Sequence, residues 1–101
     1  YNVMGVAKAA LESTARYLAF ELGEKKVRVN TISAGPVRTL SAMAVGGIDD
    51  MFSHVEKKSP LKRNIDADEV GKTAVYLLSD LASGVTGEVL FVDSGFNTVG
   101  L

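Results

Sequence analysis

The chain alternates helical and strand-like patterns, and this alternation is what most constrains its fold. Residues 3 to 22 are apolar on nearly every side of a helix, which predicts that this helix is buried on most sides. A glycine at position 23 provides a common type of helix end. The β-branched run from Val27 to Ile32 follows, and a second strand-like run covers Glu88 to Val92. Short apolar strands of this kind are typical of parallel sheets covered by helices. The pattern therefore predicts an α/β fold with a doubly wound parallel sheet.

Two further helices are expected between these strands. A short one should run from about Asp50 to Lys58 and stop before Pro60. A longer one should begin after Asp66, because Asp66 and Glu69 have the spacing of a capping box. Its apolar residues predict one buried face and are Val70, Ala74, Leu77, Leu78 and Leu81. Two strands are too few for a stable open sheet, so residues 1–101 are expected to form the C-terminal part of one larger domain.

Charge and composition argue against several classes of protein. Eleven Lys and Arg residues balance twelve Asp and Glu residues without a basic block, which argues against a nucleic-acid partner. No apolar stretch reaches the roughly 20 residues of a membrane span. The absence of cysteine and the single histidine, His54, argue against disulfides, a metal site or a Ser-His-Asp triad. The composition fits an intracellular protein, and His54 is expected to be a solvated residue of the short polar helix.

Tyr1 and Lys8 stand seven residues apart at the head of the long helix. This spacing places them within roughly 20° of the same face and about 10 Å apart along the axis. A ligand lying along that face would meet a phenol at one end and an ammonium at the other. The phenol can hydrogen-bond a developing oxyanion, and the ammonium stabilises the phenolate. Spacing alone instead favours an exposed ladder of charges through Lys8, Glu12 and Arg16.

The first strand leads into the loop Ser33-Ala34-Gly35-Pro36-Val37-Arg38-Thr39. Ligands of open α/β sheets bind at the carboxyl ends of the strands. Gly35 permits a close backbone approach and Pro36 holds the loop rigid, while later N–H groups and the Thr39 hydroxyl can reach a carboxamide or a pyrophosphate. Taken alone, the same residues also fit an ordinary connection between elements.

Three motifs together resemble a known family. They are Tyr-x6-Lys, then Val-Arg-Val-Asn-x-Ile-Ser-Ala-Gly-Pro-x-Arg-Thr-Leu from residue 27, and Gly-Glu-Val-x-x-Val-Asp-x-Gly from residue 87. The chain closely resembles, over essentially its whole length, the bacterial enoyl-[acyl-carrier-protein] reductases of the short-chain dehydrogenase/reductase superfamily. Other members of that superfamily place the lysine four residues after the tyrosine, where this chain has Gly5, and usually have proline at the position of Ala34.

The resemblance implies a Rossmann-type, NADH- or NADPH-dependent oxidoreductase of type II fatty acid biosynthesis. Tyr1 is then the active-site tyrosine that stabilises the enolate, and Lys8 the catalytic lysine that binds the nicotinamide ribose. The expected cofactor-binding residues are Lys8, Gly35, Pro36, Val37, Arg38, Thr39, Leu40 and Ser41. The segment from Ser41 to Ile48 resembles a mobile lid, and the expected substrate-binding residues are Tyr1, Met43, Val45 and Ile48. The motifs that carry the resemblance do not include the residues that select NADH or NADPH.

The resemblance also implies partners and leaves alternatives open. The substrate is expected to be an enoyl thioester on acyl carrier protein, an acidic partner, although Asp49 and Asp50 sit beside the lid. The basic candidates for contact with this partner are Arg38, Lys57, Lys58, Lys62 and Arg63. A cytoplasmic homotetramer is expected, with an interface through residues 67–80 and 88–92. The alternatives are another reductase of the superfamily, for 3-oxoacyl or sugar substrates, and a non-catalytic nucleotide-binding subunit.

Overall fold

A computed structural model describes residues 2–100 and shows the expected alternation of helices and strands. The elements are α1 (Asn2–Gly23), β1 (Thr31–Ala34), α2 (Leu40–Met43), α3 (Ile48–Lys58), α4 (Ala67–Leu78) and β2 (Val89–Val92), with 3₁₀ turns at Asp80–Ala82 and Phe96–Thr98. The two strands form one sheet. The predicted long helix, short helix and second strand are thus confirmed to within two residues at each end.

The two strands of the sheet are parallel. The Thr31 N–H donates to the Glu88 carbonyl at 2.8 Å, and the Gly35 N–H donates to the Val92 carbonyl at 2.9 Å. Both bonds join residues of the same sequence separation, so the partner residue advances with the donor along the sheet. The carboxyl ends of β1 and β2 therefore lie at the same edge.

The first strand begins later than predicted. The sequence predicts a strand from Val27 to Ile32, whereas β1 starts at Thr31. The residues just before it are held by side chains and by a single backbone bond, from the Gly87 N–H to the Val29 carbonyl at 2.7 Å, instead of a regular backbone ladder. The Arg28 guanidinium and the Asn30 amide both donate to the Val85 carbonyl, at 3.2 and 2.9 Å. Val85 lies in a loop before β2, and a loop cannot offer the regular row of donors and acceptors that a strand requires.

The chain divides into two compact units, and the first comprises residues 2–31 and 76–90 of the described part. Within it, Ala19 is the one buried residue of α1, and a β-carbon on Gly87 would lie 3.5 Å from the Ala19 methyl group. The prediction that this helix is buried on most sides is wrong for this chain: Val3 and Phe20 are 86% and 87% exposed. A single stretch of neighbouring chain covers only one side of a helix.

The second unit comprises residues 32–75 and 91–100 of the described part. Its core includes Ile48, Phe52 and Val55, which recur on one face of α3. The predicted capping box of α4 is confirmed: the Glu69 N–H donates to the Asp66 carboxylate at 2.9 Å, and the Asp66 N–H donates to the Glu69 carboxylate at 3.1 Å. This reciprocal pair satisfies two of the N–H groups that every helix start leaves unbonded.

The apolar face predicted to extend from Val70 to Leu81 is wrong at its C-terminal end. Leu77 is buried, whereas Leu78 and Leu81 are 85% and 82% exposed. The helix ends at Leu78, and the Ser79 side chain accepts the Leu81 N–H to start a separate 3₁₀ turn. The change of direction at Ser79 removes Leu81 from the helical period that the sequence suggested.

No helix within residues 2–100 is both long enough and apolar enough to cross a membrane.

Candidate functional site

The loop after β1 starts with an unusually close backbone approach. Gly35 continues the sheet through its bond to Val92, and a β-carbon on Gly35 would lie 3.2 Å from both the α-carbon and the β-carbon of Asp93. Non-bonded carbons prefer about 3.5–4.0 Å. The neighbouring strand end therefore favours glycine at this position, a constraint that exists without any ligand.

The turn Asp93–Gly95 supports the far end of the same segment. Its Ser94 carbonyl accepts the Leu61 N–H at 3.1 Å. Gly95 has φ of 83°, and a β-carbon there would lie 2.8 Å from the Pro60 ring. Asp93 stabilises the turn, since its carboxylate accepts the Gly95 N–H at 3.0 Å. Gly35 and Leu61, the residues that flank the segment 36–60, thus both contact this turn.

Thr39 occupies the N-cap of α2. Its hydroxyl oxygen accepts the Ala42 N–H at 3.0 Å. The hydroxyl proton is not used in this bond and is available to an acceptor such as a phosphate oxygen. The neighbouring Leu40 and Ser41 are both exposed on α2. The predicted cofactor run from Gly35 to Ser41 is thus one continuous stretch of loop and helix start.

Arg38 belongs to this stretch, yet its side chain is directed to α3. The guanidinium carbon lies 4.3 Å from the centre of the Phe52 ring, and Nη1 lies 3.5 Å from the Asp49 carboxylate. Phe52 is 6% exposed, so the ring is a fixed part of the unit's core. Arginine over an aromatic face gains a cation–π attraction in addition to any ion pair.

The predicted lid from Ser41 to Ile48 contains more helix than its sequence suggested. Its first three residues lie in α2, and Ile48 is already the first residue of α3 after Gly47, whose φ is 78°. Met43 and Val45 are exposed, as expected of residues that offer apolar surface to an acyl chain. Ile48 differs, because its side chain is buried in the second unit.

Lys8 lies on α1 in the first unit, and Tyr1 is outside the described residues. Helical geometry places Lys8 within about 40° of the half-buried Glu12 and of Ala19. The ion pairs among residues 2–100 join Arg38 to Asp49, Arg63 to Glu69 and Lys72 to Asp68. The charge ladder through Lys8, Glu12 and Arg16 is therefore not formed, and the Lys8 ammonium has no carboxylate partner within this part of the chain.

A cleft of about 440 Å³ opens beside the loop in the second unit. Val37, Arg38, Phe52 and Asn64 are among its lining residues. The Asn64 amide donates to the Phe52 carbonyl at 3.0 Å, and its own oxygen is buried without a hydrogen-bond partner among the described residues. Three carboxylates, those of Asp49, Glu56 and Asp66, also line the cleft, so its wall is polar as well as apolar.

Arg63 and Glu69 form the shortest ion pair of the described residues. Two hydrogen bonds of 2.8 and 2.7 Å join the guanidinium to the carboxylate. The bond from Arg63, assisted by the Asp66 N–H, lowers the pKa of Glu69 to about 2, and the same pair raises the pKa of Arg63. Arg63 and Arg38, two of the predicted basic rim residues, are thus already paired, whereas Lys57 and Lys58 remain exposed at the end of α3.

The sequence interpretation missed two structural residues of this site. The sequence places Phe52 only at the end of the mobile segment, although the Arg38 guanidinium lies over its ring. The sequence motif contains Asp93 without indicating a role for it, although its carboxylate also accepts the Asn97 N–H at 2.9 Å. The spacing Asp93-x-Gly95-x-Asn97 is a signal of such an Asp-centred turn. No group of three or more candidate ligands within residues 2–100 can hold a metal ion.

Comparison with known proteins gives consistent matches. Residues 1–97 match the family model described as Enoyl-(Acyl carrier protein) reductase. The chain is 63% identical over 99 residues to the NADPH-type enoyl-[acyl-carrier-protein] reductase of Staphylococcus aureus (strain MRSA252), covering 98% of this chain and 39% of that protein. It is 61% identical over 101 residues to the NADH-type enzyme of Nostoc sp., covering all of this chain and 39% of that protein.

Solved structures agree with these matches. The Bacillus cereus enoyl-acyl carrier protein reductase, in complex with NADP+ and an indole naphthyridinone, matches with a TM-score of 0.97 and 56% identity over all of this chain and 39% of its own. The Anaplasma phagocytophilum enzyme, in complex with NAD, matches with a TM-score of 0.92 and 51% identity over all of this chain and 38% of its own. The chain therefore spans about two fifths of the relatives it matches, and the predicted α/β Rossmann-type fold class is confirmed.

Proposed function

The chain belongs to the enoyl-(acyl carrier protein) reductase family, and we propose that the complete protein reduces the trans-2 double bond of enoyl thioesters carried by acyl carrier protein. The observation that carries this proposal is identity of 61% over all 101 residues with a curated reductase of that activity. The reaction belongs to type II fatty acid biosynthesis. Residues 1–101 contribute the catalytic helix, the lid, and the last helix and strand, as the C-terminal part of one reductase domain.

Each unit, taken by itself, offers donors that suit part of a nicotinamide dinucleotide, NADH or NADPH. Such a ligand needs donors for its phosphates, its ribose hydroxyls and its carboxamide. The Thr39 hydroxyl has an uncommitted proton, and the Lys8 ammonium has no carboxylate partner among residues 2–100. The proposed cofactor-binding residues are Lys8, Gly35, Pro36, Val37, Thr39, Leu40 and Ser41, with Arg38 contributing backbone to the same run.

The chemistry divides between the cofactor and the protein. When bound, the dihydronicotinamide supplies the hydride that the β-carbon of the enoyl thioester accepts. Tyr1 donates a hydrogen bond to the thioester carbonyl, whose oxygen becomes negative as the enolate forms. Lys8 places a positive charge near this phenol and holds the ribose hydroxyls. The α-carbon is then protonated, and no metal ion is required to stabilise the oxyanion.

The lid supplies apolar surface to the acyl chain. Met43 and Val45 are exposed in the described structure, and burial of such side chains against an acyl chain is favourable at about 25 cal/mol per Å². Ile48 lies where the lid ends and α3 begins, and its side chain is buried. It contacts the acyl chain only if this junction moves or if the acyl pocket extends to the core of the second unit. Closure of such a segment also excludes water from the reacting atoms.

The proposed partner is acyl carrier protein, the proposed assembly a homotetramer, and the proposed location the cytoplasm. Lys57 and Lys58, exposed at the C-terminal end of α3, are the basic residues best placed to meet an acidic partner. The exposed apolar residues of α4 and β2, among them Val75 and Phe91, support assembly through these elements.

The experiment that tests the function uses the full-length protein with crotonyl and acetoacetyl thioesters. Oxidation of NADH or NADPH with crotonyl thioester, and not with acetoacetyl thioester, is the expected result. The opposite preference would assign a 3-oxoacyl reductase instead. Cofactor binding without oxidation of either substrate would assign a nucleotide-binding subunit that lacks turnover.

A further inference from the structure

We propose that Arg38 is a positioning residue, one whose side chain fastens the base of the lid to α3. The proposal rests on the proposed function, because it concerns the lid of that site. Arg38 immediately precedes Thr39, the cap of α2, and its guanidinium reaches Phe52 and Asp49 across the return of the chain. The segment 40–47 begins just after Arg38 and ends at the start of α3. The Arg38 side chain therefore links the two ends of this segment.

The receiving surface for Arg38 is firmly held. Phe52 is 6% exposed, and its carbonyl accepts the Asn64 amide at 3.0 Å. Phe52 also shares the buried face of α3 with Ile48, the residue at which the lid returns. A guanidinium stacked on this ring thus restrains the start of the lid relative to its end.

The strength of this contact suits a segment that opens and closes. The Arg38 and Asp49 side chains are 62% and 80% exposed, and their 3.5 Å separation is long for an ion pair. Exposed ion pairs and exposed cation–π contacts are each weak, so together they are expected to shift an equilibrium by about three- to tenfold. A lid fastened this weakly can be released in every catalytic cycle.

A side chain committed to α3 has a different effect from one that binds a cofactor phosphate. Loss of a fastening contact lowers the fraction of protein whose lid is ordered, and the apparent substrate affinity falls by that fraction. Loss of a phosphate contact weakens the cofactor itself. Arg38→Ala separates these two effects, and Arg38→Lys retains the charge but loses the planar group that stacks on Phe52.

The test compares full-length wild type with Arg38→Ala, Arg38→Lys, Asp49→Asn and the control Lys72→Ala, which breaks an exposed ion pair on α4. Deuterium uptake by residues 40–47, the Kd of NADH or NADPH, and the KM and kcat for crotonyl thioester are measured for each. In Arg38→Ala, the rate of deuterium uptake by residues 40–47 should rise about three- to tenfold, KM should rise by at most that factor, and the cofactor Kd should stay within about twofold. Arg38→Lys and Asp49→Asn should show part of the effect, and Lys72→Ala none.

Two results would overturn the proposal. Unchanged deuterium uptake by residues 40–47 in Arg38→Ala would show that the contact restrains nothing. A cofactor Kd weakened about tenfold or more with unchanged uptake would make Arg38 a direct cofactor contact. Deuterium uptake needs no turnover, so a wild type inactive on crotonyl thioester would refute the proposed function and still leave the fastening contact tested.

Discussion

The backbone at Gly35 passes so close to Asp93 that a β-carbon at position 35 would lie 3.2 Å from the Asp93 α-carbon. The two residues follow the parallel strands β1 and β2 at the same sheet edge. Their contact determines where the chain can enter the loop that carries the proposed cofactor-binding residues. A side chain at position 35 must therefore displace either β2 or that loop.

Replacing Gly35 tests this contact. Gly35→Ala should lower the free energy of unfolding of the full-length protein by about 1–3 kcal/mol, the usual effect of inserting a carbon where backbone already lies. Gly23→Ala is the matched control, because nothing lies within 4 Å of its added carbon. Gly23→Ala should be neutral or stabilising by up to about 1 kcal/mol. Equal urea unfolding midpoints for the two variants would contradict the prediction.

The bond from Arg63 to Glu69 predicts a specific dependence of stability on pH. The pKa of Glu69 is lowered from 4.5 to about 2 in the folded chain, so folding favours the charged carboxylate. This contribution is complete above the unfolded pKa and should be lost as the pH falls from about 4.5 to about 2. Urea unfolding across this range should show wild type losing stability more steeply than Glu69→Gln. Arg63→Gln should remove the same component, and retention of the steep loss in Arg63→Gln would point to another cause.

Lys8 is expected to act on cofactor binding. An ammonium that bonds ribose hydroxyls gains about 1.5–3 kcal/mol for each buried charge-assisted bond, so Lys8→Ala should weaken the Kd of NADH or NADPH by about tenfold or more. Fluorescence titration of the full-length protein measures this directly. Arg16→Ala, an exposed cation further along α1, serves as the control and should bind the cofactor like wild type. An unchanged Kd in Lys8→Ala would return Lys8 to the surface charges of the helix.

Ligands are expected to protect the lid. The segment from Ser41 to Phe52 includes the exposed Met43 and Val45. Gly47 has a positive φ of 78° and bends the chain just before α3. Limited proteolysis should cleave it more slowly when cofactor and an enoyl analogue are both present than when either is absent. The loop around Gly84, which lies outside the lid, should be cleaved at the same rate under all conditions. Equal rates of cleavage within residues 41–52 in the presence and absence of both ligands would argue against a lid.

Assembly is expected to produce a homotetramer, and light scattering should give about four times the mass of the full-length chain. The interface should use residues 67–80 and 88–92. The substitutions Leu77→Asp and Val89→Asp are expected to disrupt folding or assembly. Leu77 is buried, so Leu77→Asp does not distinguish a loss of folding from a loss of assembly. Val75 is 69% exposed on α4. Val75→Asp should therefore lower the mass while preserving the helical circular dichroism, and a monomeric wild type at micromolar concentration would refute the assembly.

Local sequence signals predicted the elements of the fold well, because each depends on neighbours in the sequence. The capping box at Asp66 and Glu69 and the end of α1 at Gly23 are examples. The predicted start of β1 is too early, since Val29 and Asn30 bond to a loop that only the tertiary structure brings near. Leu81 was assigned to a helix face because the helical period cannot reveal that Ser79 ends the helix.

Of the candidate site, the sequence predicts the residues, and their cofactor and substrate roles stay predictions. The run from Gly35 to Ser41 is predicted from its motif, and the structure shows it as a loop and the start of α2. The position of the Arg38 side chain is not predictable from the sequence, because Phe52 lies fourteen residues later and no local pattern links a loop arginine to a helix phenylalanine. The close backbone approach that the sequence predicts at Gly35 is present, and it is made to the residue that follows β2.

The Asp93–Gly95 turn has a consequence for how such a domain diversifies. The segment 36–60 is attached at both of its ends to this one turn, through Gly35 on one side and Leu61 on the other. Substitutions inside the segment leave these attachment points untouched. Its exposed part can thus vary between these attachment points, and a library that varies residues 40–47 while preserving Gly35, Pro60, the turn and the buried residues of α3 would sample new segments on an unaltered frame.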